Sequence, residues 1–141
     1  MKRVKFYFHD SKVTFRNREK LKLFIEDLFS KEKKSLKSLV YIFCSDEYLL
    51  GINIEFLKHD FYTDVITFDL SSSGNQIDGE VYISIDRVKD NAIKTSSLLN
   101  EELHRIIFHG ALHLCGYKDK NPSDVLKMRS LEDSYLKRYF I

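Results

Sequence analysis

At 141 residues and 43% hydrophobic content the chain is large enough for one core, and a single domain over residues 1–141 is expected. No run of about 18 apolar residues occurs, and the polar, basic start Met1-Lys-Arg-Val-Lys5 lacks the apolar stretch of a secretory signal, which argues against a membrane partner and for a cytoplasmic protein. Two cysteines are too few for a disulfide framework, and the net charge of +2 hides an uneven balance: residues 1–40 carry 12 Lys or Arg against 5 acids, and residues 41–141 carry 11 against 16.

In chain order, Val4, Phe6 and Phe8 alternate with Lys5 and Tyr7, so Arg3 to His9 reads as a half-buried strand. Leu21, Leu23, Phe24, Leu28 and Phe29 recur at helical spacing between about Asn17 and Lys34, and Ser38 to Cys44 follows as a more buried strand. Asp46 is positioned to cap a helix over Glu47 to Phe56, Thr63 to Leu70 reads as a strand, and Ser71 to Asn75 is the clearest loop. Gly79 to Ile85 returns as a strand, a long helix or helix pair runs from Asp86 to Cys115, and Asn121-Pro122 has the chemistry to start a last helix. This β-α-β-α-β-β-α-α order predicts an α/β (α+β) fold in which helices cover a mixed sheet.

The densest chemical signal is His109-Gly-Ala-Leu-His113-Leu-Cys-Gly116-Tyr-Lys-Asp119. Residues four apart on a helix lie about 40° apart around the axis and about 6 Å from each other, so His109 and His113 can aim at one ion. Gly116 can take the left-handed conformation that ends a helix and turns the chain, letting Asp119 approach as a third ligand. Three protein ligands leave a tetrahedral zinc ion one open position, the pattern of catalytic rather than structural zinc. An isolated helical His pair is more commonly buried and hydrogen-bonded, and Lys118 and Lys120 offer Asp119 ordinary ion pairs; the full spacing favours one Zn2+ on His109, His113 and Asp119. Cys115, two residues after His113, would point about 200° around the helix from it and reads as a core thiol, like Cys44.

The spacing matches that of metzincin peptidases, H-E-x-x-H-x-x-G-x-x-H, but Gly110 stands where their glutamate base belongs. The fuller string H-G-x-L-H-L-x-G-Y resembles the signature of the YbeY family, bacterial metal-dependent endoribonucleases that mature ribosomal RNA. That family usually carries a third histidine where this chain has Asp119. A second block, from Asn53 through Thr63-Asp64-Val65 to Phe68, resembles the family's L-N-x-x-Y-R-G-K-D-x-P-T-D-V-L-S-F segment, with Phe56 for its tyrosine. Leu57 stands where the family has an arginine linked to RNA cleavage, and leucine lacks the guanidinium fork that suits phosphate. Lys58 is adjacent, though an exposed lysine at a helix end is ordinarily only solvated. Gly79-Glu80-Val-Tyr-Ile-Ser84 resembles the family's G-D-I-x-I-S strand.

The resemblance implies the same α/β architecture and a zinc-dependent, single-strand-specific endoribonuclease acting in 16S ribosomal RNA 3′ maturation and ribosome quality control. Its partners would be ribosomal RNA and the small ribosomal subunit. Motif chemistry alone supports a metal-dependent hydrolase. A zincin-like peptidase and a ribosome-associated RNA-binding protein with a structural metal are the competing readings. No catalytic base is identifiable: Asp64 reads equally as a turn or cap residue, and Glu80 and Glu102 are acidic candidates, Glu102 reading as surface charge. His9, His59 and His104 read as surface histidines. The basic first third would suit a polyanion, but alone it also fits a solvated helix face.

Overall fold

The alternating and helical periodicities resolve into four strands and five α-helices in a computed structural model, which describes residues 2–72 and 74–141. Strands β1 (Val4–Phe8), β2 (Leu36–Cys44), β3 (Val65–Asp69) and β4 (Ile77–Ser84) form one mixed sheet in the order β1-β2-β4-β3. The first three in that order are parallel, and β3 runs antiparallel to β4 at the edge. The expected Ser71 to Asn75 loop joins β3 to β4; its Ser73 lies outside the described residues.

Alternation sorts the strands' side chains between two faces. Leu39, Tyr41 and Phe43 of β2 and Val81 and Ile83 of β4 are fully buried beneath α1 (Arg18–Lys31) and α4 (Leu99–Leu114). A smaller cluster on the opposite face joins Cys44 and Ile66 to Leu49 of α2 (Asp46–Ile52). Helices α3 (Ile85–Lys94) and α5 (Pro122–Tyr139) pack against α4, leaving it nearly enclosed. This is the expected α+β class, with mixed sheet and helical cover.

Two local readings change. Ser45, not Asp46, caps α2, accepting from Tyr48 N at 3.2 Å, because the Asp46 carboxylate is taken by Ser84 Oγ at 2.6 Å and Arg87 at 2.8 Å. The expected helix to Phe56 is α2 followed by a π-helical turn, Asn53–Leu57, ending at Lys58 with a left-handed φ of 59°. Of the long helix or helix pair expected from Asp86 to Cys115, the structure has the pair, interrupted where Ser96 takes φ 55° and Ser97 N bonds back to Ala92 O at 2.9 Å.

Two glycines let α4 lie close on β4. A Cβ on Gly110 would meet Val81 Cγ1 at 2.7 Å, and one on Gly79 would meet Leu114 Cδ1 at 2.7 Å. Tyr41 strengthens the contact by donating its hydroxyl to Ile107 O at 2.8 Å inside the core. The histidine-bearing helix is thereby held at a set depth and rotation over the sheet.

Candidate metal centre

The C-terminal end of α4 builds the centre. Gly116 N bonds to His113 O at 3.0 Å and Tyr117 N to Leu112 O at 3.1 Å, the paired bonds of a Schellman closure. Gly116 sits at φ 106°, which only glycine adopts readily. The reversal brings Asp119 over the last turn: Asp119 Oδ2 lies 3.5 Å from His109 Nε2 and 3.3 Å from His113 Nε2. Donor atoms about 2.0–2.1 Å from a tetrahedral ion are separated by roughly 3.4 Å, so these spacings fit one cation. The three side chains form a group able to hold a metal ion. Cys115 lies outside that group, buried at the helix cap with its thiol pushed up to about 12 by burial. Neither Lys118 nor Lys120 pairs with Asp119 among the described residues.

Both imidazoles are held through their far nitrogens. His113 Nδ1 lies 2.8 Å from Tyr117 O, an acceptor only, so Nδ1 carries the proton and Nε2 presents its lone pair to the centre. His109 Nδ1 lies 2.6 Å from Glu132 Oε2, and Glu132 Oε1 accepts from Arg105 Nη1 at 3.1 Å. Arg105 also donates to the exposed Asp133 at 2.7 Å, so the buried Glu132 carboxylate joins its guanidinium to the His109 imidazole. Burial opposes a charged His109 ring, yet the Glu132 hydrogen bond and charge, with Asp119 and Asp64, leave its pKa above the ordinary value. Glu132 escapes sequence reasoning because it lies 23 residues from His109 on α5, at no motif spacing.

Two clefts meet at this group. One, of about 390 Å³, lies toward α3 and α5 and is bordered by Glu102, Arg129 and Glu132. The other, of about 650 Å³, runs along edge strand β3 and the π turn, bordered by Leu57, His59 and Phe61. His109, Asp119 and Asp64 border both. Asp64 therefore lies on the wall shared by both clefts: its carboxylate accepts from Asn91 Nδ2 at 3.0 Å, and burial raises its pKa against the opposing effect of His109.

Glu102 is buried on the cleft wall, its pKa raised by burial, where sequence suggested surface charge. Glu80 faces the other side of the sheet, accepting from Tyr82 at 3.1 Å. Leu57 borders the cleft, whereas Lys58 Nζ folds back onto Glu55 O at 3.1 Å and brings no charge there. His104 is a core residue, 4% exposed, bonded through Nδ1 to Asn100 O and ringed by Phe15, Phe108, Tyr139 and Phe140. His9 packs its ring at a tilt against Tyr48 and borders neither cleft. None of residues 2–40 borders either cleft, and Lys20 and Lys22 lie over the rings of Tyr139 and Phe6.

The family model described as Endoribonuclease YbeY matches residues 5–140. The chain belongs to the YbeY family. Relatives named Endoribonuclease YbeY include those of Cytophaga hutchinsonii, 49% identical over 93% of this chain and 92% of that one, and Karelsulcia muelleri, 44% identical over 92% of each. The solution structure of TM1509 from Thermotoga maritima superposes with a TM-score of 0.65 at 24% identity, covering 96% of this chain and 89% of that chain, and shares the fold. No helix among the described residues is long and apolar enough to cross a membrane.

Proposed function

We propose that this YbeY protein is a zinc-dependent endoribonuclease, holding one Zn2+ on His109, His113 and Asp119 and cutting single-stranded RNA. Its place would be 16S ribosomal RNA 3′ maturation and ribosome quality control, in the cytoplasm, with the small ribosomal subunit as partner. The observation that carries the reading is the convergence of two Nε2 atoms and one carboxylate oxygen on a point open to two clefts. A bound ion would supply Lewis-acid chemistry, acidifying a water or polarising a phosphoryl oxygen.

The chain's own residues set the stage for that chemistry. Glu132 and the Tyr117 carbonyl hold the imidazoles in the tautomer that offers Nε2, and the carboxylate of Asp119 lowers the net positive charge of the centre relative to a third imidazole. Asp64 and Glu102, both raised by burial, are carboxyls disposed to hold a proton nearer neutrality than exposed acids do. A peptidase reading lacks its base, because Val81 fills the space that a side chain at position 110 would need.

Zinc content and RNA cleavage, compared between the parent, His113→Ala and Asp119→Ala, test the proposal. Stoichiometric zinc and cleavage in the parent, with both lost in the variants, is the expected result. Zinc retention with intact RNA in every sample would favour the second reading, a ribosome-binding module with a structural metal, which Leu57 at the cleft wall favours.

A further inference from the structure

The cleft along β3 carries an aromatic wall whose exposure the fold does not require. His59 and Phe61 stack on one another, ring centroids 5.1 Å apart and planes 20° from parallel, and both border the cleft that holds His109, His113 and Asp119. Phe61 is 56% exposed and neighbouring Leu57 40% exposed, so neither adds much to the core. Water contact with such surface is unfavourable, and an exposed apolar patch continuous with a reactive centre is a ligand surface.

The wall is also rigidly mounted. Asn53, 1% exposed at the start of the π turn, donates Nδ2 to Phe61 O at 2.9 Å and accepts from His59 N through its own carbonyl at 3.2 Å. One buried residue thus pins both ring-bearing positions, so a ligand does not have to order the loop on binding. The π turn and the left-handed Lys58 turn the chain between Leu57 and His59 while both border the cleft.

Resting on the ribonuclease reading, we propose that His59 and Phe61 form a stacking platform for an unpaired base of the substrate strand next to the phosphate held at the metal centre. Flat π-faces accept any base and add to binding without reading sequence. A base inside a duplex already has both faces stacked and cannot reach the platform, so the wall selects single strands through shape. Leu57 extends the apolar surface where a guanidinium would have gripped phosphate, so the platform adds affinity through bases, while Lys120, which borders the same cleft, is a cation available to the backbone.

The test measures binding of the zinc-loaded protein to a 2′-O-methyl single-stranded oligoribonucleotide, its integrity checked on a gel, across a salt series. Phe61→Ala is expected to weaken binding about five- to a hundredfold with the salt slope unchanged, while Phe61→Tyr stays within about twofold of the parent. An abasic residue walked along the oligonucleotide should, at one position, weaken the parent and leave Phe61→Ala unaffected. Parental binding by Phe61→Ala, or equal sensitivity of both proteins to every abasic position, overturns the platform, as would occur if the wall docks a protein. Cleavage is scored separately: a parent that cuts RNA while Phe61→Ala keeps its KM leaves the ribonuclease reading standing and removes the platform. A parent that binds through Phe61 but never cuts removes the nuclease reading instead.

Discussion

Glu132 is the side chain whose replacement separates metal-site geometry from the ligands themselves. Its two oxygens serve two donors, His109 Nδ1 at 2.6 Å and Arg105 Nη1 at 3.1 Å, and it is 5% exposed. In Glu132→Gln, the amide has one acceptor and one donor end, so either orientation sets an N–H against His109 Nδ1–H or against the Arg105 guanidinium. Losing the partner that sets the tautomer and ring direction of a ligating histidine costs about 10–100-fold in metal affinity. Glu132→Ala adds a stability cost. Breaking a buried ion pair costs about 3–5 kcal/mol, and Arg105 retains Asp133 at 2.7 Å, which places this change near the lower end, about 3 kcal/mol. At about 4 °C per kcal/mol for a chain of this length, the melting temperature should fall by about 12 °C. Zinc affinity by chelator competition, alongside thermal unfolding with and without metal, reads both effects. A folded Glu132→Gln protein that binds zinc within twofold of the parent would refute the orienting role.

Three further outcomes follow from particular contacts. Gly110→Ala should lower stability by about 1–2 kcal/mol, the overpacking against Val81 exceeding the gain in helix propensity, and a second change, Val81→Ala, should restore most of the loss in thermal unfolding. Burial lowers the pKa of His104 from its ordinary 6.5, so the unfolded chain binds the proton more tightly; stability is complete above about pH 6.5 and declines as pH falls from there through the folded value. His104→Leu should lose that slope, measured as the difference between denaturation midpoints of parent and variant from pH 7 to 5. Leu57→Arg places a guanidinium at the cleft wall and should raise kcat/KM on single-stranded RNA roughly fivefold, a steady-state measurement in which an unchanged value would mean the cleft needs no added cation.

Local signals carried their content directly. The alternation of Val4, Phe6 and Phe8, the Asn121-Pro122 start of α5 and the Gly116 stop of α4 each act within one element, and each reappears in the structure. Errors arose where a residue's partner is remote in sequence. Asp46 has the right chemistry for a cap, but Ser84 and Arg87 claim its carboxylate from about forty residues away. His104 looks like a surface histidine until Phe15 and Tyr139 close around it, and the Asn53 amide gives no sign in sequence of anchoring Phe61.

The sequence by itself determined that His109, His113 and Asp119 come together, because they lie on the last turns of one helix and the reversal at Gly116, where spacing alone sets direction. It determined the strand and helix order for the same reason, save for the break at Ser96 that divides α3 from α4. Only the tertiary structure decided which nitrogen each histidine offers, how deeply α4 sits on the sheet and what walls surround the centre. Those properties depend on Glu132 from α5, Val81 from β4 and Phe61 from the loop before β3, residues that periodicity cannot link and that meet only when the sheet and helices pack.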